Sequence, residues 1–166
     1  FARINPKDVI GLVLIDSIHT EQYKRFEDAG IEIPTTNTTR FLLGSKDQVT
    51  EGMPEEYKDI AYELVRSDEA VSSMFNELRN IHVSTQEIST AAKMPDIPIS
   101  VITHGKKVWD NPMFKNMEEI WLELQTQLSQ SSSKGKLLIA NSSGHHIHLE
   151  QPELILNEIK SILGKK

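Results

Sequence analysis

A chain of 166 residues with a hydrophobic fraction of 38% and a charged fraction of 25% is long enough to bury one core and too apolar to stay disordered. Its formal net charge of −6 excludes the basic face that phosphate-directed binding requires, so no nucleic acid is expected as a partner. The absence of cysteine excludes disulfides, thiol nucleophiles and thiolate metal sites, and no apolar run reaches the roughly 18 residues of a membrane-spanning helix, so no membrane span is expected.

Phe1-Ala2-Arg3-Ile4 reads as the last turn of a helix, stopped at Asn5-Pro6 because proline disfavours helix in the residue before it. An element that opens on its own end predicts further sequence upstream of Phe1. Val9 to Ile15 is a continuous apolar run ending at Asp16-Ser17, the pattern of a strand buried on both faces. A short helix is expected near Thr20–Asp28. Tyr57, Ile60, Ala61, Leu64 and Val65 repeat at helical spacing, as do Val71, Met74, Phe75 and Leu78 behind Ser67 as N-cap, with Asp68 and Glu69 in the first turn. Ser84 and Glu87 are spaced as a capping box and predict a separate short helix toward Ala92.

Ile97 to Thr103 predicts a second buried strand, with Pro98 at its start, where a missing donor is tolerated. Met117, Ile120, Trp121, Leu124 and Leu128 form a helical stripe, closed by a serine run at 131–133 that reads as a solvated loop. Lys136 to Asn141 is a third strand. Pro152 opens a last helix that should bury Leu154, Ile155, Ile159, Ile162 and Leu163. The order predicts an α/β fold: part of a doubly wound parallel sheet from residues 1–19 and 95–166, with a helical cap inserted over 20–94. Three parallel strands are few for an open sheet, which again predicts strands beyond this chain.

Ligands of parallel sheets bind beyond the carboxyl ends of the strands. The first end carries Asp16, Ser17 and His19, the second Thr103, His104 and then Asp110, the third Asn141 to His148. Two histidine-bearing loops and an aspartate on one rim form a plausible acid–base set. His146 and His148 alternate around Ile147 and resemble a metal pair, but no clear ligand set accompanies them and no metal is expected. Ser142 and Ser143 lack flanking glycines at nucleophile spacing and suit a backbone-capping role.

Ser142-Ser143-Gly144-His145-His146-Ile147-His148-Leu149-Glu150-Gln151-Pro152-Glu153 resembles the histidine loop of α/β-hydrolases, and Phe1 to Ser17 resembles the stretch that follows that family's nucleophile. Ile97 to Thr103 resembles the next strand, so the resemblance spans the chain and is weakest in the cap. It implies the last three strands of the hydrolase sheet, a helical cap, and serine-dependent hydrolysis of an ester or related acyl bond. His145 would be the base, and Asp16 or Asp110 the acid. His104, Trp109 and His19 would touch a small ester-like substrate, and no cofactor would be needed.

Two departures stand out. No Gly-x-Ser-x-Gly segment occurs, so the nucleophile would lie upstream of Phe1 and this chain alone would be inactive. Gly105-Lys106-Lys107-Val108 lacks the aspartate many relatives carry there, and Asp110 comes two residues late. The implied partner is the N-terminal half of the same protein, or a second copy at the open sheet edge. The alternative is a non-catalytic binding fragment of the same fold. A cytoplasmic setting is favoured, with a targeting segment upstream left open.

Overall fold

The computed structural model describes residues 1–31, 44–109 and 116–164. Among them are three strands, β1 (Leu12–Ile15), β2 (Ile99–His104) and β3 (Gly135–Ala140). The helices, in chain order, are α1 (Gln22–Asp28), α2 (Lys46–Val49), α3 (Glu55–Val65), α4 (Asp68–Thr90), α5 (Met117–Ser129), α6 (Ile147–Glu150) and α7 (Pro152–Ile162). The strands form one parallel sheet in the order β1-β2-β3. Leu12 lies opposite Ile99 and Ile15 opposite Ile102, and His104 lies opposite Ala140. The protein is thus mixed α/β with a parallel sheet.

Alternation along the strands puts helices on both faces. Ile102 packs with Ala140, Ile147 and Ile155, flanked by Val13, Ile15 and Leu138, on the α7 side. Ser100 points the same way and donates to Glu158 of α7 at 2.6 Å. Thr103, of opposite parity, meets Trp121 of α5 instead. Buried on both sides, β2 can carry the unbroken apolar run its sequence shows. On α5, Met117, Trp121 and Leu124 are buried as the stripe predicts, and Met117 also packs with Phe26 of α1 and Ile31. The first helix of the inserted stretch is therefore anchored to the sheet-covering helix.

Several expectations are corrected. β1 starts only at Leu12, because β2 offers no partner before Pro98, whose carbonyl accepts from Leu12 N–H at 2.9 Å. The capping box at Ser84 and Glu87 opens nothing: α4 runs through it as one helix, capped by Ser67, whose hydroxyl accepts from Ala70 N–H. The serine run is not merely solvated. Ser132 is buried and donates to the Ile97 carbonyl, and both Ser132 and Ser133 bond Asp96, fastening the approach to β2. On α7, Ile155 is buried while Ile159 is exposed, as is Leu163 at the helix C-cap.

Candidate functional site

Asp16 directly follows β1 and continues its ladder, donating its N–H to the Ile102 carbonyl at 2.7 Å. Its φ of 45° places it in the left-handed region, alone among the described non-glycine residues. Such a conformation costs roughly 1–2 kcal/mol, and aspartate is among the few side chains that tolerate it. The turn swings the carboxylate off the strand and back under the rim. Gln125 of α5 holds the next residue, donating to the Ser17 carbonyl at 2.7 Å.

The Asp16 side chain is 2% exposed and saturated with donors. Oδ1 accepts from the Thr103 hydroxyl (3.2 Å), the His104 backbone N–H (3.1 Å) and His104 Nδ1 (2.8 Å). Oδ2 accepts from His145 Nδ1 at 2.7 Å and also faces His104 Nδ1 at 2.9 Å. Burial by itself would raise the carboxyl pKa. The bonds from His104 and His145 and the charge of His104 outweigh it and hold Asp16 well below the usual carboxylate range. An ionised, buried, fully bonded carboxylate orients neighbours; it is not available as a nucleophile.

His145 is carried by the loop from β3 to α6, and that loop is tied down at each step. The Ser143 carbonyl accepts from the Gly105 and Lys106 N–H groups at 3.1 and 3.0 Å. A Cβ on Gly105 would stand 2.6 Å from the Asn141 Cα, so glycine allows the two loops to touch. Gln151 Oε1 accepts from Ser142 N–H and from the Ser143 hydroxyl, both at 2.9 Å, and Glu150 accepts from Gly144 N–H at 3.0 Å. Ser143 is buried in that capping role and is not a nucleophile. The loop presents His145 with Nδ1 on Asp16 and its side chain 61% exposed. Among the described residues no hydrogen bond is recorded to its Nε2.

His104, expected to touch substrate, is instead 3% exposed at its side chain, with both ring nitrogens engaged. Nδ1 faces Asp16, and Nε2 meets Glu118 Oε2 of α5 at 3.0 Å. Its ring stacks on Trp121 (centroids 5.7 Å apart) and takes the edge of Trp109 (5.6 Å). Burial pushes the imidazole toward neutrality, but the bonds to Asp16 and Glu118 prevail and raise its pKa. Glu118, absent from the sequence reading, accepts with Oε1 from the Val108 and Trp109 N–H groups at 2.6 and 3.0 Å. Burial opposes its ionisation, while those N–H bonds and His104 lower its pKa. The sequence signal for it was slight: Glu118 stands one turn before Trp121, on the edge of the buried stripe.

Trp109 is half-buried against Phe26, His104 and Trp121 and serves as a wall of the array. His19 lies apart from the network. Its Nδ1 accepts from Glu21 N–H at 3.1 Å, and its ring lines a cavity of about 490 Å³ beside β1. Asp110 falls outside the described residues. Among the described residues no group of three or more His, Asp or Glu is placed to hold a metal ion, and no helix is long and apolar enough to cross a membrane. No protein-family model matches this chain, and no curated protein matches it.

Proposed function

We propose that this chain is the C-terminal part of a serine hydrolase of α/β-hydrolase fold, cleaving an ester or related acyl bond, with Asp16 rather than Asp110 as the acid. One observation carries the reading: His145 bonds a buried, ionised Asp16 through Nδ1 at 2.7 Å while its ring stays open to solvent. That geometry fixes the tautomer with the proton on Nδ1 and leaves the Nε2 lone pair free as a base.

In the proposed mechanism a serine from sequence ahead of Phe1 attacks the acyl carbon and gives its proton to His145 Nε2. The imidazolium, steadied by Asp16, returns that proton to the departing alkoxide, leaving an acyl-serine. Water then attacks the acyl group, His145 again takes the proton, and the serine leaves with it as the acid is released. The open side of β1 supports an incoming strand there. Among the described residues β1 is an edge of the sheet, Leu12 and Leu14 are only partly buried, and Phe1, Ile4, Ile10 and Ile18 are exposed. A bare apolar edge of this kind calls for a covering strand.

Hydrolysis of p-nitrophenyl butyrate tests the reading. The full-length protein should turn the ester over, the 166-residue chain alone should not, and His145→Ala in the full-length protein should lower kcat by about 10³-fold or more. Turnover by the chain alone, or a full-length protein indifferent to His145→Ala, overturns it; an inactive full-length protein would favour a non-catalytic binding role.

A further inference from the structure

We propose that His104 and Glu118 are positioning residues for the Asp16–His145 pair: His104 is held as an imidazolium between two carboxylates, and its charge keeps Asp16 from stabilising the His145 imidazolium so strongly that Nε2 cannot return its proton. The consequence for catalysis rests on the hydrolase reading above; the charge on His104 does not.

A neutral imidazole has one N–H and one lone pair. At His104 each ring nitrogen meets a carboxylate oxygen, Asp16 at 2.8 Å and Glu118 at 3.0 Å. A lone pair aimed at either carboxylate would be repelled, so both nitrogens must donate, unless a carboxylate itself carries the proton. The surroundings of the acids argue against that. Glu118 Oε1 takes two backbone N–H groups, and Asp16 Oδ1 takes a backbone N–H and the Thr103 hydroxyl. Donors of this kind favour the ionised form. The Thr103 hydroxyl is itself aimed at Asp16, because its oxygen accepts from Trp121 Nε1 at 2.8 Å.

Among the described residues the aromatic neighbours of the ring are Trp109, from the loop after β2, and Trp121 of α5. Lys106, the nearest cation along the chain, is turned to Glu150. His104 is therefore the cation that answers the two acids among the described residues. With it charged, the buried array carries one net negative charge at rest, and the proton taken up by His145 in the reaction brings it to neutrality. With His104 neutral, two uncompensated carboxylates would pull on that proton. The imidazolium thus keeps the base strong enough to accept a proton and weak enough to return it, the balance acid–base catalysis requires.

The charge can be read directly on this chain. Nitrogen NMR of ¹⁵N-histidine-labelled protein at about pH 7.5, where an unperturbed histidine with pKa near 6.5 is mostly neutral, should show protons on both His104 ring nitrogens. Glu118→Gln preserves an oxygen for the Val108 and Trp109 N–H groups but withdraws the second carboxylate, and should leave His104 with a single N–H. A singly protonated His104 in the unmodified chain overturns the proposal. In the full-length enzyme, Glu118→Gln withdraws the imidazolium charge that shares Asp16 with His145 together with the carboxylate on the far side of that ring, and should move the acid limb of the kcat–pH profile upward, a several-fold loss on the acid side that recovers at higher pH. A loss of equal size at every pH would mean a merely structural role and overturn the positioning claim. If the NMR result holds while His145→Ala leaves turnover intact, the hydrolase reading fails and the charge assignment stands.

Discussion

Replacing Asp16 by asparagine isolates the charge at the centre of the network. The backbone at position 16 has φ 45°, and asparagine tolerates the left-handed region at least as well as aspartate, so no added backbone strain enters. The amide oxygen can still accept from Thr103, the His104 N–H and His104 Nδ1, which all meet Oδ1. The amide nitrogen takes the place of Oδ2 and faces His145 Nδ1, which lies 2.7 Å from that atom. Two donors cannot share that contact, so His145 must move its proton to Nε2, where it blocks the lone pair the reaction needs. A wrong-tautomer substitution of this type costs serine proteases about 10⁴-fold in kcat, or about 5.5 kcal/mol.

Stability should fall as well. Removing one partner from a buried ion pair costs about 3–5 kcal/mol, and the surviving Glu118 contact puts this case near the lower end, about 3 kcal/mol. With Asp16 and His104 only 2% and 3% exposed, solvent screening does little to reduce that figure. At an m-value of about 2 kcal/mol/M, the urea midpoint should drop by about 1.5 M. Nitrogen NMR reads the tautomer of neutral His145, and urea unfolding followed by circular dichroism reads the stability. An Asp16→Asn protein that keeps the His145 proton on Nδ1, or loses less than tenfold in ester turnover, would refute the reasoning.

Gly135→Ala should be among the most damaging single substitutions: its Cβ would sit 1.7 Å from the Ser129 backbone oxygen at the turn into β3, and backbone cannot give way as a side chain does. A loss of about 3 kcal/mol or more is expected, and a melting temperature within a degree of the unmodified protein's would contradict it. Stability should also vary with pH on two sides. Asp16 has a lowered pKa, so its contribution is present above about pH 4 and lost as pH falls through the folded value. His104 has a raised one, so its contribution is full below about pH 6.5 and lost as pH rises through its folded value. Urea midpoints should therefore peak between about pH 4 and 6.5 and decline on the alkaline side; a flat profile from pH 5 to 9 would count against the buried imidazolium.

What the sequence disclosed and what it hid follow from range. β2 is legible because burial on both faces leaves an uninterrupted apolar run; β1 and β3 show apolar runs too, although they are only partly buried, and α5 and α7 are legible because their stripes and the Pro152 start are local signals. The false break at Ser84 shows the limit of a local signal: a capping box acts only where the chain leaves helical geometry, and nothing at 80–84 forces it to. Asp16 and His145 were legible as strand-end residues. The orientation of His104 was not, because strand position alone does not tell whether a ring at the end of β2 points to solvent or to an aspartate 88 residues earlier. Glu118 was missed for a related reason: in a first helical turn a glutamate ordinarily answers the helix dipole, whereas here it answers a buried cation.

The four members of the array come from four separate segments, at positions 16, 104, 118 and 145. Asp16 meets His104 only when Ile15 sits opposite Ile102; a slip of one residue would throw the carboxylate to the other side of the sheet. The proton on His104 is therefore a product of correct assembly, formed only once strand register, helix docking and the last loop are all in place. A charge buried in this way penalises every near-miss arrangement that leaves it unanswered, so the site helps to choose the fold that in turn holds the site.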